Sequence, residues 1–432
     1  MSIFTKLACL FVAASCLQVT FAQGQTTLIY AGRLIDGTGK PAQEEVTVFI
    51  DKDKIQKIER GYAALPAGAT AIDWKNRTVL PGLMDCHVHL EHQHGPDDLS
   101  NTVRLNDADV AYLGAKFAKT TLRAGFTTVR DLGGSGVNLA LRDAIKKGLV
   151  PGPRVICAGS AISSTGGHGD GSNGLNDDLG EPHRFSDNIA DGVEGARRAV
   201  RRQYQRGVDV IKVTATGGVL SYAKDGSRPQ FSQEELNALV LTASDYGLKV
   251  AAHAHGAEGI KRALKAGVAS IEHGTIQDDE AIALFKKTGA YYVPTLSAGR
   301  ATEDSAKKPG HYPPIITAKA LLVSPQMKAT FKKAVAAGVK VAYGTDAGVF
   351  DHGTNGNEFI YMLEGGMAPM DAIVAATHNA ADLLGILATV GTLEAGKIAD
   401  IVALKANPLQ EPTAFKQVDA VMQSGKLVRM QD

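Results

Sequence analysis

Leu80-Pro81-Gly82-Leu83-Met84-Asp85-Cys86-His87-Val88-His89 turns at a proline–glycine pair and then runs into a strand. Residues two apart on a strand point to the same side, so His87 and His89 aim both imidazoles at one point. A single His-x-His is weak evidence of metal, because surface or core histidines are commoner. The pair gains weight from its surroundings. With residues 78–88 as the first in part, strand-like runs recur at residues 127–132, 154–158, 208–214, 249–253, 270–273, 291–295 and 339–344. Helical patterns such as residues 193–204, 233–246 and 257–266 lie between them. About eight such repeats predict an α/β chain folded as a (β/α)8 TIM barrel. An open doubly wound sheet is the alternative, and no glycine-rich dinucleotide fingerprint supports it.

Ligand-type residues end several of these strands. Lys212 sits in Val208-Asp209-Val210-Ile211-Lys212-Val213, a strand expected to be buried on both faces. A buried lysine is either paired with a carboxylate or chemically altered. Burial beside metal would depress its pKa, and the free amine could take up carbon dioxide as a carbamate whose two oxygens bridge two cations. His253 and His255 repeat the His-x-His pattern, His273 closes the next strand, and Asp346 follows the last. Each alone reads more readily as structural. Together they converge, because barrel strands bring their carboxyl ends to one face. Nitrogen and carboxylate-type donors suit zinc, or another divalent ion, with a position left open for water.

Glycine-rich insertions at residues 163–174 and 216–229 follow the third and fourth strands, where barrels grip substrate. They carry His168, Tyr222 and Arg228. His168 and His255 are candidates to donate to a substrate carbonyl or tetrahedral intermediate. The other reading of His255 is a group that orients a neighbouring ligand. Tyr222 and Arg228 are candidates to hold a substrate carboxylate, or are solvated loop residues. His352, His378 and the His92/His94 pair read as structural or surface groups. Asp346 is expected to act as both ligand and proton carrier.

The ends of the chain differ from its middle. Residues 28–34, 46–50 and 55–58 look like short strands, and residues 391–430 have the same character. The expected organisation is a signal peptide at 1–22, the barrel at 83–386, and a small β-sandwich assembled from the flanking segments 23–82 and 387–432. Lys6 before an apolar run at 7–19, too short to span a bilayer, predicts cleavage after Ala22 and a secreted or periplasmic protein. A buried N-terminal helix is the alternative, weakened by polar Gln23-Gly24-Gln25. Cys9 and Cys16 would leave with the signal. Cys86 and Cys157 then read as inert buried thiols, with a disulfide between them left open. The 432 residues hold 46 basic against 45 acidic side chains, a net charge of +1. That balance gives no electrostatic reason to expect nucleic acid or an anionic membrane as partner.

These motifs, with Gly32-Arg33-Leu34-Ile35-Asp36-Gly37, Gly344-Thr345-Asp346, Ala376-Thr377-His378-Asn379-Ala380-Ala381 and the tail from Gly391 to Asp400, resemble the amidohydrolase superfamily. The resemblance covers essentially the whole mature chain. It implies a binuclear zinc centre, with His87, His89 and Asp346 on one ion, His253 and His273 on the other, and carboxylated Lys212 as the bridge. Ser164-Thr165-Gly166-Gly167-His168-Gly169 and Lys212-Val213-Thr214-Ala215-Thr216-Gly217-Gly218 are similar to the imidazolonepropionase-like branch of Xaa-Pro and related dipeptidases. That branch includes the ochratoxin-hydrolysing amidohydrolases, which the chain most resembles. The resemblance implies an amide or dipeptide-like small-molecule substrate and a homo-oligomer, often an octamer. Hydrolysis of a cyclic amide, deamination of a heterocycle, or a metal-free scaffold are the competing readings.

Overall fold

The computed structural model of the chain describes residues 26–430, except 96, 98, 99, 102, 103 and 177–187. The secretory signal expected at residues 1–22 lies outside the described residues. Four strands come first: β1 (Thr26–Leu34), β2 (Gln43–Asp51), β3 (Lys54–Arg60) and β4 (Thr70–Pro81). Seven more strands follow through the middle of the chain: β5 (Leu83–Val88), β6 (Phe126–Asp131), β7 (Arg154–Cys157), β8 (Ile211–Thr214), β9 (Val250–Ala254), β10 (Ser270–His273) and β11 (Tyr291–Val293). After each of β5 to β10 comes a helix: α1 (Asp107–Arg123), α2 (Val137–Lys146), α3 (Gly192–Gln205), α4 (Gln233–Asp245), α5 (Ala257–Ala266) and α6 (Asp279–Thr288). Local chemistry marks these helices. Ser232 accepts from the backbone of Glu235 while the Glu235 carboxylate accepts from the backbone of Ser232, a reciprocal cap that starts α4.

Parallel ladders join β5-β6-β7 and β8-β9-β10-β11. Shorter links complete the ring. Asp209 N donates to Cys157 O at 2.8 Å and Ile162 N to Lys212 O at 2.8 Å, tying β7 to β8. The chain beyond β11 runs through α7 (Leu296–Ala306), α8 (Pro314–Val323) and α9 (Gln326–Ala336) before reaching the eighth position. There Val341 bridges Tyr292 and Ala347 bridges Val88, so residues 341–347 lie between β11 and β5. Between these two bridges Thr345 N donates to Asp85 Oδ1 at 3.0 Å.

The tail supplies β12 (Ile401–Leu404), β13 (Val418–Gln423) and β14 (Lys426–Met430). All seven terminal strands form one sheet in the order β14-β13-β12-β4-β1-β2-β3, so both ends of the chain build one unit, as the sequence predicts. Its buried face includes Ile29, Trp74, Val79, Ile401, Ala403 and Met422. The segment at residues 78–88 serves both units. It breaks at Gly82, where an added Cβ would fall 2.1 Å from Thr127 Oγ1, so only glycine lets β4 pass into β5 so close to β6.

Candidate metal centre and active site

The sequence-predicted ligands arrive together. His87 is the penultimate residue of β5 with His89 just beyond it, Lys212 lies in β8, His253 in β9, His273 at the end of β10, and Asp346 near the end of the eighth position. His255 follows β9 and His168 comes from the loop after β7. All of these side chains line one cavity of about 240 Å³. Strands send consecutive side chains to opposite faces, yet Glu272 and His273 both reach His87. The reason is local: His273 has φ 67°, a left-handed conformation that turns its ring back toward the barrel axis. Asp346 (φ 64°) and Thr295 (φ 50°) share this conformation at neighbouring strand ends. Such backbone strain persists only where surrounding contacts hold it. Here Thr295 Oγ1 pairs with His273 Nδ1 at 2.7 Å, and Asp346 N donates to His87 O at 2.7 Å.

The tautomers follow from the partners. His87 Nδ1 lies 3.0 Å from Glu272 Oε2, and His89 Nδ1 lies 2.8 Å from Gly133 O. A carboxylate and a carbonyl only accept, so each Nδ1 carries a proton. In the neutral rings each Nε2 then turns its lone pair toward Asp346 Oδ1, at 3.5 and 3.2 Å. That oxygen is buried and has no hydrogen bond. A cation placed between these three groups would satisfy all of them. Their ligand atoms lie within 4.8 Å of one another, which suits a divalent cation. Burial first, and then the charge of Lys212, hold His87 well below the usual imidazole range, in the neutral form that ligates.

The second set is less complete. His253 and His273 have ring centroids 4.7 Å apart, and His87 and His273 5.0 Å apart. His253 Nε2 lies 3.1 Å from Gly217 O, so this nitrogen is engaged and a second ion would need the other nitrogen or a turned ring. Lys212 is 4% exposed and makes no ion pair among the described residues, which disfavours the carboxylate-paired reading. Its Nζ lies 3.4 Å from His87 Nε2, and burial pulls the amine down to about 8. The cavity is also neutral on its far side. Burial brings His168 down to about 3 and His255 to about 4. Both rings contact His253, His168 stacked at 4.4 Å and His255 edge-on at 4.7 Å between centroids.

The structure does not bring Tyr222 and Arg228 to this cavity. Tyr222 is 43% exposed, and the Arg228 side chain is 84% exposed beside Asp225 at 3.3 Å. Conversely, His92 and His94, read from sequence as structural or surface groups, line it. Sequence reasoning also passed over Glu272 and Arg130. Their signal was present, since a charged residue within an apolar strand is as telling at 272 or 130 as at 212. Cys86 and Cys157 are free and buried, and burial pushes the Cys86 thiol up to about 12. Among the described residues, no helix is long and apolar enough to cross a membrane.

The model of the Amidohydrolase family matches residues 78–428. The chain belongs to the amidohydrolase family. This amidohydrolase is 37% identical to ochratoxinase of Aspergillus niger over 94% of this chain and 87% of that protein. It is 46% identical to a Xaa-Pro dipeptidase whose crystal structure has methionine bound in the active site, at a TM-score of 0.91, covering 93% of this chain and 99% of that one. A prolidase complexed with N-methylphosphonate-L-proline is 33% identical at a TM-score of 0.86, over 94% of this chain and 100% of that one. The expected barrel and terminal-sheet architecture is borne out by these neighbours, and the amidohydrolase acts as a hydrolase on amide bonds.

Proposed function

We propose that this amidohydrolase cleaves the amide bond of an N-acyl amino acid or dipeptide, including ochratoxin A to ochratoxin α and phenylalanine, using two zinc ions bridged by carboxylated Lys212. The observation that carries the metal reading is the convergence of buried Asp346 Oδ1 with the Nε2 atoms of His87 and His89, at 3.5 and 3.2 Å. His87, His89 and Asp346 would hold one ion, and His253 and His273 the other. Lys212, strongly buried and without an ion pair among the described residues, supports the carbamate, since an ammonium there would repel both ions. The substrate class rests on similarity to the ochratoxinase and the dipeptidase.

Bound there, divalent ions supply Lewis acidity and a water that ionises near neutral pH. The chain's own groups do the rest. Asp346 takes a proton from the attacking water and passes it to the amide nitrogen as the carbon–nitrogen bond breaks. Acid and amine are the two products, and one water is consumed. His255 Nδ1 is tied to Thr275 Oγ1 at 2.7 Å, which fixes its ring for donation to the developing oxyanion. His168 lines the same cavity and stacks on His253 at 4.4 Å between centroids, which makes it the second candidate donor. Zinc-loaded protein assayed against N-acyl amino acids, dipeptides and ochratoxin A tests the reading. Amino-acid release is expected. Ammonia release without amino acid would replace it with deamination.

A further inference from the structure

Behind His87 lies a buried ion pair that the proposed chemistry does not use. Glu272 and Arg130 are both almost completely buried, and neither lines the catalytic cavity. Glu272 Oε2 accepts from His87 Nδ1 at 3.0 Å. Its Oε1 accepts from Arg130 Nη2 at 2.9 Å and from Ser270 Oγ at 2.5 Å. Arg130 is itself fixed, with Nε on Cys86 O at 2.6 Å and Nη1 on Ser270 Oγ at 3.1 Å. The guanidinium therefore spans β5, β6 and β10 and pins the carboxylate in place.

We propose that Glu272, locked in place by Arg130, is a positioning residue that fixes His87 with its proton on Nδ1 and thereby sets the ion affinity of the His87–His89–Asp346 set. This role rests on the metal reading above. An imidazole without that partner could carry its proton on either nitrogen, and the Nε2-protonated form cannot ligate. A carboxylate is the strongest acceptor available for Nδ1–H, and it makes Nε2 a better donor to a cation. An isolated buried anion would be costly, and Arg130 removes that cost by adding the opposite charge. The pair thus orients His87 without changing the net charge of the site. His89 differs, because a backbone carbonyl holds its Nδ1. Removing Glu272 should therefore affect one ion set and spare His253 and His273.

The test is zinc binding by Glu272→Gln protein, measured by competition with a chromophoric chelator and by metal content per chain. Affinity at one site should fall about 10–100-fold, while the other site and the cooperative unfolding of the metal-free protein are retained. An Arg130→Met/Glu272→Leu double variant replaces the pair by apolar groups of similar size, so that fold and charge are kept apart from positioning. It should fold and show the same loss. Wild-type zinc affinity in either folded variant would overturn the role. Wild-type protein that takes up no metal at all would overturn both this role and the metal reading, whereas normal zinc uptake with unaffected variants would overturn the role alone.

Discussion

Asp346 Oδ1 stands 3.2 Å from His89 Nε2 and 3.5 Å from His87 Nε2. That relationship makes Asp346 a direct test of the site. Asp346→Asn removes the negative charge and the proton acceptor while keeping the shape. Turnover should fall by at least about 10²–10⁴. Circular dichroism and cooperative unfolding should be unchanged. A folded variant with full activity would remove Asp346 as proton carrier.

Stripping metal should leave the His87, His89 and Asp346 acceptors facing one another with nothing between them. Chelator-treated protein is expected to lose amide hydrolysis and to unfold at lower temperature. Zinc should restore both. At free zinc 100-fold above its Kd, stabilisation of about 2.7 kcal/mol is expected. A midpoint independent of zinc concentration, measured by calorimetry, would contradict ligation by the folded state.

Gly218 tests the role of His168. An added Cβ would lie 2.3 Å from His168 Cε1 and 2.4 Å from both ring nitrogens. Gly218→Ala must push that ring aside. Loss of an oxyanion donor costs about 10²–10³ in kcat, so a decrease of that order, rather than a rise in KM alone, is the expected result. Steady-state kinetics on a folded variant decide it, and unchanged kcat would return His168 to a merely packing role.

Glu358 supplies the pH prediction. Its buried carboxylate accepts from Leu296 N at 2.8 Å and Ser297 N at 2.7 Å, at the start of α7. Burial outweighs those bonds and pushes the group up to about 8 from 4.5. The folded state therefore binds more protons than the unfolded state between these values. Its stabilising contribution is complete below pH 4.5 and is lost as pH rises toward 8, at no more than about 1.4 kcal/mol per pH unit. Urea unfolding from about pH 5 to 8 should show wild-type stability falling relative to Glu358→Gln. Parallel curves for the two proteins would show that Glu358 does not titrate in this window.

Much of the site was legible because ligand spacing follows strand periodicity. His-x-His at 87–89 needs nothing but an extended backbone to aim both rings alike. Lys212 announced itself as a charge in an apolar strand, and the alternation of strands and helices indicated a barrel that would bring their ends together. The loop contacts were not legible in the same way. Tyr222 and Arg228 sit on a segment whose path depends on packing against distant helices, and there Arg228 faces solvent beside Asp225.

The sequence by itself determined the strand–helix alternation, the ligand-type residues at strand ends and the strand character of both termini, because periodicity and residue chemistry are local properties. Only the tertiary structure decided how those donors are oriented. The left-handed turns at His273 and Asp346, the Nδ1 proton on His87 and the Glu272–Arg130 pair arise from contacts between residues far apart in the chain. Hydrogen-bond geometry across the barrel is a property of the closed ring, and no spacing along the chain encodes it.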